Sequence, residues 1–143
     1  MTSGKSPNIV FVLSDDQGAW AMGYAGNKHI ITPNLDKLAA GGMIFDNSFC
    51  TSPVCSPARA SILTGKMPSQ HGVQDWIRAG HYGPDAVDYL RHHITLPEIL
   101  RQNGYACAIS GKWHLGDVYS VDKRFPDHCF IHLKGAGPYN NAP

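Results

Sequence analysis

The stretch Asn8-Ile-Val-Phe-Val-Leu13, followed at once by Ser14-Asp15-Asp16-Gln17-Gly18, decides the fold class. Its apolar, β-branched body shows no polar alternation, which is the pattern of a strand buried on both faces of a parallel sheet. A helical pattern follows, with Thr32 as N-cap, Pro33 at the first helical position and Gly41 at the exit. Leu35, Leu38 and Ala39 fall at i, i+3 and i+4, which predicts one inward-packing face. Met43-Ile-Phe45 predicts a short strand. A second helix is expected from Ser56-Pro57 to Thr64-Gly65. A third is expected from Thr95, which has capping-box spacing to Glu98, to Gly104. Residues 105–110 predict another buried strand, residues 130–133 a short last element, and residues 74–93 a loop with room for a short helix.

Strands alternating with capped helices give an α/β fold with a mainly parallel sheet flanked by helices. In such folds ligands bind at the carboxyl ends of strands. Asp15-Asp16 and Gly111-Lys112-Trp113-His114 fall at two predicted strand ends, and the run from Cys55 to Arg59 opens a helix. All three clusters are therefore expected to meet in one crevice. Only two or three strands are clear, and residues 135–143 are a loop-like run of Gly, Pro and Asn. Residues 1–143 thus read as the N-terminal part of one larger, truncated domain, with no internal repeats.

The 143 residues suffice for one sizeable core, and 43% apolar with 16% charged residues is ordinary globular composition. A net charge of +1 and scattered basic residues argue against nucleic acid as a partner and against any general pull toward anionic surfaces. No apolar stretch is long enough for a membrane span. The polar segment 1–7 leads into an apolar run too short for a signal-peptide core and without a small-residue cleavage site. The expected compartment is the cytoplasm, or the periplasm or exterior if a leader has been removed. Cys50, Cys55, Cys107 and Cys129 form no CxxC pair and no dense disulfide pattern, and their spacing is wrong for zinc.

Adjacent carboxylates just past a buried strand repel unless a cation offsets them. A hard divalent cation with oxygen ligands fits Asp15 and Asp16, and Gln17 could add a carbonyl. A solvated turn accounts for Asp-Asp-Gln-Gly equally well. In Pro53-Val-Cys-Ser-Pro-Ala-Arg-Ala-Ser-Ile-Leu-Thr-Gly65, Pro57 as first helical residue would set Cys55 just ahead of a helix N-terminus, where backbone N–H groups and the helix dipole favour an anion. Arg59, four residues on, returns to the same side. Cysteine, helix start and guanidinium together suit a tetrahedral oxyanion such as sulfate or phosphate. A small buried cysteine beside a capping proline, with Arg59 in a surface ion pair, explains the same residues.

Cys55-Ser-Pro-Ala-Arg59, continued by Ile62-Leu-Thr-Gly65, resembles the signature of the sulfatases. Gly104-Tyr-Ala-Cys-Ala-Ile-Ser-Gly-Lys-Trp-His114 is similar to the family's second signature. It departs at Cys107, where Ser or Thr is usual, and that residue is expected to face the core. Residues 8–16 resemble the family's first strand and metal-binding pair; Thr32-Pro-Asn-Leu-Asp-Lys-Leu38 and Lys134-Gly-Ala-Gly-Pro-Tyr139 also look familial. The resemblance covers nearly the whole chain, in order.

The resemblance implies an alkaline-phosphatase-like sulfatase domain. It implies conversion of Cys55 to Cα-formylglycine by a formylglycine-generating or sulfatase-maturating enzyme. The hydrated aldehyde would attack the sulfur of a small-molecule or glycan sulfate ester, the alcohol would leave, and the second hydroxyl would help expel sulfate. Asp15 and Asp16, with the group made from Cys55, would ligate Ca2+. Arg59 would orient the diol. Lys112 and His114, two apart in an extended segment, would project to one side, Lys112 toward a sulfate oxygen and His114 toward the diol. Taken alone, both read as a solvated strand-end loop. The remaining metal ligands, a leaving-group histidine and a second lysine would come from further along the family's chain.

His71 reads as a loop-capping histidine, and His29, His92 and His93 as surface residues. Trp20, Trp76 and Trp113 read as core or pocket wall rather than a binding platform. Two rival readings remain at this level. One is a phosphoester or phosphonate hydrolase of the same superfamily, against which the intact C-x-P-x-R argues. The other is a non-catalytic segment that contributes only folding or partner contacts.

Overall fold

Capping chemistry sets the helices. In the computed structural model, which describes residues 6–80 and 84–131, helix α1 spans Pro33–Gly41, α2 Cys55–Thr64, α3 Pro68–His71, α4 Leu96–Gln102 and α5 Ser120–Arg124. Strands β1 (Ala108–Gly111) and β2 (His128–Ile131) pair in parallel, with Ala108 opposite His128 and Gly111 opposite Ile131. At α4 the Thr95 N–H donates to Glu98 Oε2 at 2.8 Å, closing the expected capping box. At the end of α2, Gly65 takes φ 66 and its N–H reaches the Ser61 carbonyl at 2.8 Å, a left-handed cap that glycine adopts without steric cost. The chain divides into two units, Met1–Ser48 and Phe49–Pro143.

In the first unit, Thr32 sits at the N-cap of α1, but its hydroxyl serves a longer-range purpose. It donates to Asp36 Oδ1 at 2.9 Å and accepts the Gly23 N–H at 2.8 Å, while the Tyr24 N–H donates to the same carboxylate at 2.7 Å. The start of α1 thereby holds the 3-10 turn Gly23–Ala25. Three expectations fail here. Residues 8–13 form no ladder among the described residues, and Val10 and Val12 are 85% exposed. Residues 43–45 are irregular, and α1 contains no buried residue, with Leu35 and Leu38 both exposed. The cause is common to all three: a buried strand takes its hydrogen bonds and its cover from neighbours distant in sequence. The described residues supply no partner strand for 8–13.

The second unit has the core. Ala60 of α2, Leu90, Leu115 and Val121 are fully buried, with Trp113, Val73 and Cys107 nearly so. Cys107 faces the core as expected. The strand predicted at 105–110 is β1, which starts later and is largely exposed, because a two-stranded sheet has too few neighbours to bury both faces. The last predicted element is β2, shifted toward the N-terminus; residues 132 and 133 lie outside the described residues, as does the glycine-rich run from 134. Among the described residues the architecture is therefore α/β with helices and a small parallel sheet, in keeping with the fold class expected.

Residues 74–93 are irregular, as expected, with 81–83 outside the described residues. This loop is pinned to the segment that follows β1. Asp88 forms an antiparallel bridge with Gly116, the Asp117 N–H donates to the Val87 carbonyl at 2.8 Å, and the nearly buried Arg124 pairs with Asp88 at 3.2 Å. Gly116 has φ 87, and a Cβ there would run into the Val87 carbonyl and the Tyr89 ring. Gly116→Ala combines a left-handed penalty with overpacking, and should cost roughly 2–5 kcal/mol. Calorimetry of the full-length protein checks this; an unchanged Tm would show that the loop is not pinned here.

Candidate functional site

Val54, extended at φ −126 and ψ 143, delivers the chain into α2 so that Cys55 is its first residue, one or two positions earlier than predicted. The first N–H groups of the helix have no acceptor within it, and the ten-residue dipole adds positive character there. Lys112, just past β1, donates from Nζ to Cys55 Sγ at 3.3 Å. Arg59, one turn along α2, donates from Nη1 to the Lys112 carbonyl at 2.6 Å. A helix N-terminus and an ammonium thus meet at one partly buried cysteine, with the Arg59 guanidinium holding the main chain that carries the ammonium. That arrangement suits an anion.

His114 adopts φ 57, a left-handed conformation uncommon outside glycine, and is 1% exposed. The segment after Gly111 therefore turns at His114, and simple strand alternation does not describe how it and Lys112 are placed. The His114 ring holds the Ile77 carbonyl from Nε2 at 2.9 Å. A carbonyl can only accept, so Nε2 carries the proton and Nδ1 is the basic nitrogen of the neutral ring. Ile77 also donates its N–H to Ser56 Oγ at 3.2 Å. Ile77 is thus clamped between Ser56, the residue after Cys55, and His114. Trp76 meets the His114 ring edge-on, with centroids 5.6 Å apart and planes at 85°. Sequence reasoning missed Ser56 and Ile77. Their roles use a buried hydroxyl and main-chain atoms, which leave no signature beyond a C-x-P-x-R match.

Asp15 and Asp16 belong to the first unit, on an exposed bend directly after residues 8–13. Asp16 has φ 58, which aspartate tolerates better than most residues. Gln17 donates its side-chain amide to the Ala21 carbonyl at 3.3 Å. As a donor set the pair fits calcium in kind, being all oxygen, but supplies only part of the about six to eight oxygens that ion takes. Among the described residues no group of three or more His, Cys, Asp or Glu side chains is placed to hold a metal.

The other expected residues have structural roles. His71 accepts the Val73 N–H on Nδ1 at 3.1 Å, so its Nε2 carries the proton toward Ser61 Oγ at 3.0 Å. It caps a loop, as predicted. Burial lowers its pKa below the usual 6.5, with positive charge on His93 and Lys66 adding to the effect. The unfolded chain then takes up a proton before the folded one, so the contribution of His71 to stability is complete above about pH 6.5 and is lost as pH falls below it. Tm measured from about pH 7.5 to about pH 5.5 should fall less steeply in His71→Gln than in the wild type; parallel curves would contradict this. Burial, chiefly, pushes the Cys107 and Cys129 thiols up, which favours their protonated form. Among the described residues no disulfide joins any of the four cysteines. Trp113 is core, Trp76 adjoins His114, and Trp20 is an exposed wall of an open depression of about 430 Å3 with Asn27, Lys28 and His29. Among the described residues no helix is long and apolar enough to cross a membrane.

Comparison with known proteins gives a consistent result. The Sulfatase family model matches residues 7–141. Human (Homo sapiens) steryl-sulfatase is 40% identical over 128 residues, covering 88% of this chain and 22% of that protein. The dog (Canis lupus familiaris) N-acetylgalactosamine-6-sulfatase is 41% identical over 114 residues, 77% of this chain and 22% of the relative. Bovine (Bos taurus) arylsulfatase A is 37% identical over 142 residues, 99% of this chain and 27% of the relative. The chain therefore spans about a quarter of the length of these curated relatives.

Proposed function

The chain belongs to the sulfatase family, and we propose from that premise that the full-length protein hydrolyses sulfate monoesters with a nucleophile made from Cys55. The observation that carries this reading is the Lys112 ammonium 3.3 Å from Cys55 Sγ at the N-terminus of α2, with Arg59 holding the Lys112 main chain. The family generally uses formylglycine and Ca2+, and formylglycine at position 55 would supply a hydroxyl nucleophile. Lys112 would bind a sulfate oxygen and Arg59 would fix the loop that carries it. His114, with Nε2 committed to Ile77, would use Nδ1 to hold or move a proton at the nucleophile.

Asp15 and Asp16 would hold the calcium ion, which would lend positive charge to the sulfate oxygens. The rest of its ligands would come from outside the described residues. Residues 1–143 would form the first part of an alkaline-phosphatase-like catalytic domain, whose further strands would pair with and cover the exposed run 8–13. A small-molecule or glycan sulfate ester is the substrate class, and a formylglycine-generating or sulfatase-maturating enzyme is the partner needed for conversion.

Two measurements test the proposal. Mass spectrometry of the Cys55 peptide from a host with the maturation machinery should show the aldehyde. Turnover of an aryl sulfate should exceed that of the matching aryl phosphate; a clear preference for phosphate would move the protein to the phosphoester and phosphonate hydrolases of the superfamily.

A further inference from the structure

Trp76-Ile77-Arg78 is fixed at both main-chain polar atoms of its middle residue. The Ile77 N–H goes to Ser56 and the carbonyl to His114, while the Ile77 side chain is buried in the core. Its neighbours are both exposed, Trp76 to 44%. The Trp76 ring meets His114 edge-on, and the Arg78 guanidinium lies over the Trp76 ring, 5.8 Å from its centroid. An aromatic plane and a cation thus flank the residue whose carbonyl holds the His114 ring.

We propose that Trp76 and Arg78 form a subsite for the alcohol portion of the substrate, selecting ring-bearing sulfate esters with a second negative group, a carboxylate or another sulfate. The inference rests on the sulfatase reading and deepens it. An indole accepts the apolar face of a ring, and a guanidinium pairs with a planar carboxylate or a sulfate through two parallel hydrogen bonds. The stacking contact between Arg78 and Trp76 limits the freedom the arginine would otherwise lose on binding. Because the segment is clamped at Ile77, the subsite is already in place before substrate arrives.

The test uses the full-length, formylglycine-containing protein with two probes: 4-nitrophenyl sulfate, and a disaccharide with one hexosamine sulfate and one uronate carboxylate. The wild type should show the higher kcat/KM on the anionic disaccharide. Arg78→Gln should raise KM for the disaccharide about tenfold more than for the aryl sulfate, as expected for loss of one charge-assisted contact. Arg78→Lys should recover part of that difference, and added salt should shrink it. Trp76→Ala should raise KM for the disaccharide as well. Equal effects of Arg78→Gln on both probes, or a wild-type preference for the aryl sulfate, overturn the subsite while leaving the sulfatase reading intact. Turnover of neither probe by wild-type protein with the aldehyde present overturns the sulfatase reading, and the subsite with it.

Discussion

Replacing Cys55 by Ala in the full-length protein is expected to abolish sulfate release, with a fall in kcat on the order of 10⁶, the scale seen when a covalent nucleophile is removed. The geometry makes this a clean substitution. Cys55 is the first residue of α2, where alanine is fully compatible with the helix, and its side chain is only partly buried. Lys112 Nζ donates to its sulfur at 3.3 Å. Loss of activity would therefore arise without loss of fold, and a Tm within a few degrees of wild type should accompany it. Protein made in a host without the maturation machinery provides a second control. It keeps the thiol, the Lys112 contact and the fold, and should be as inactive as the alanine variant. Residual sulfate release at even a hundredth of the wild-type rate in Cys55→Ala would assign the nucleophile elsewhere.

How much of this was legible in the sequence depends on the range of the interaction concerned. The capping box at Thr95 and Glu98 and the left-handed exit at Gly65 are settled within a few residues, and both were readable. The run 8–13 has the composition of a buried strand, yet its burial depends on partners that the described residues do not provide. The same holds for the inward face expected of α1. At the site, the contact between Lys112 and Cys55 joins residues 57 apart; the rule that ligands bind at strand ends placed the two clusters in one crevice, and the two family signatures paired them. The left-handed turn at His114 and the Ile77 clamp lay beyond reach. Nothing in a side-chain pattern says that a main-chain carbonyl 37 residues upstream fixes a histidine tautomer. Trp76 was read as core or pocket wall rather than platform. It is 44% exposed and meets His114 edge-on, so it is not core, and the pocket-wall reading stands.

The second large effect is expected at Lys112. Lys112→Ala in the full-length protein should lower kcat/KM for an aryl sulfate by about 10²–10³, the range for removing one preorganised charge from developing negative charge. The attribution is sharper than for most lysines because the two halves of the residue have separate duties. Arg59 grips the Lys112 carbonyl at 2.6 Å, whereas the ammonium reaches Cys55. Truncating the side chain removes the charge but leaves the main-chain anchor, so the turn that leads to His114 should stay in place. Arg59→Ala does the reverse, freeing the loop while the ammonium is still present. If both residues serve one oxyanion site, the double variant should lose much less than the product of the two single losses. Multiplicative losses would mean that Arg59 and Lys112 act independently, and a Lys112→Ala variant within a few-fold of wild type would remove the ammonium from the reaction altogether.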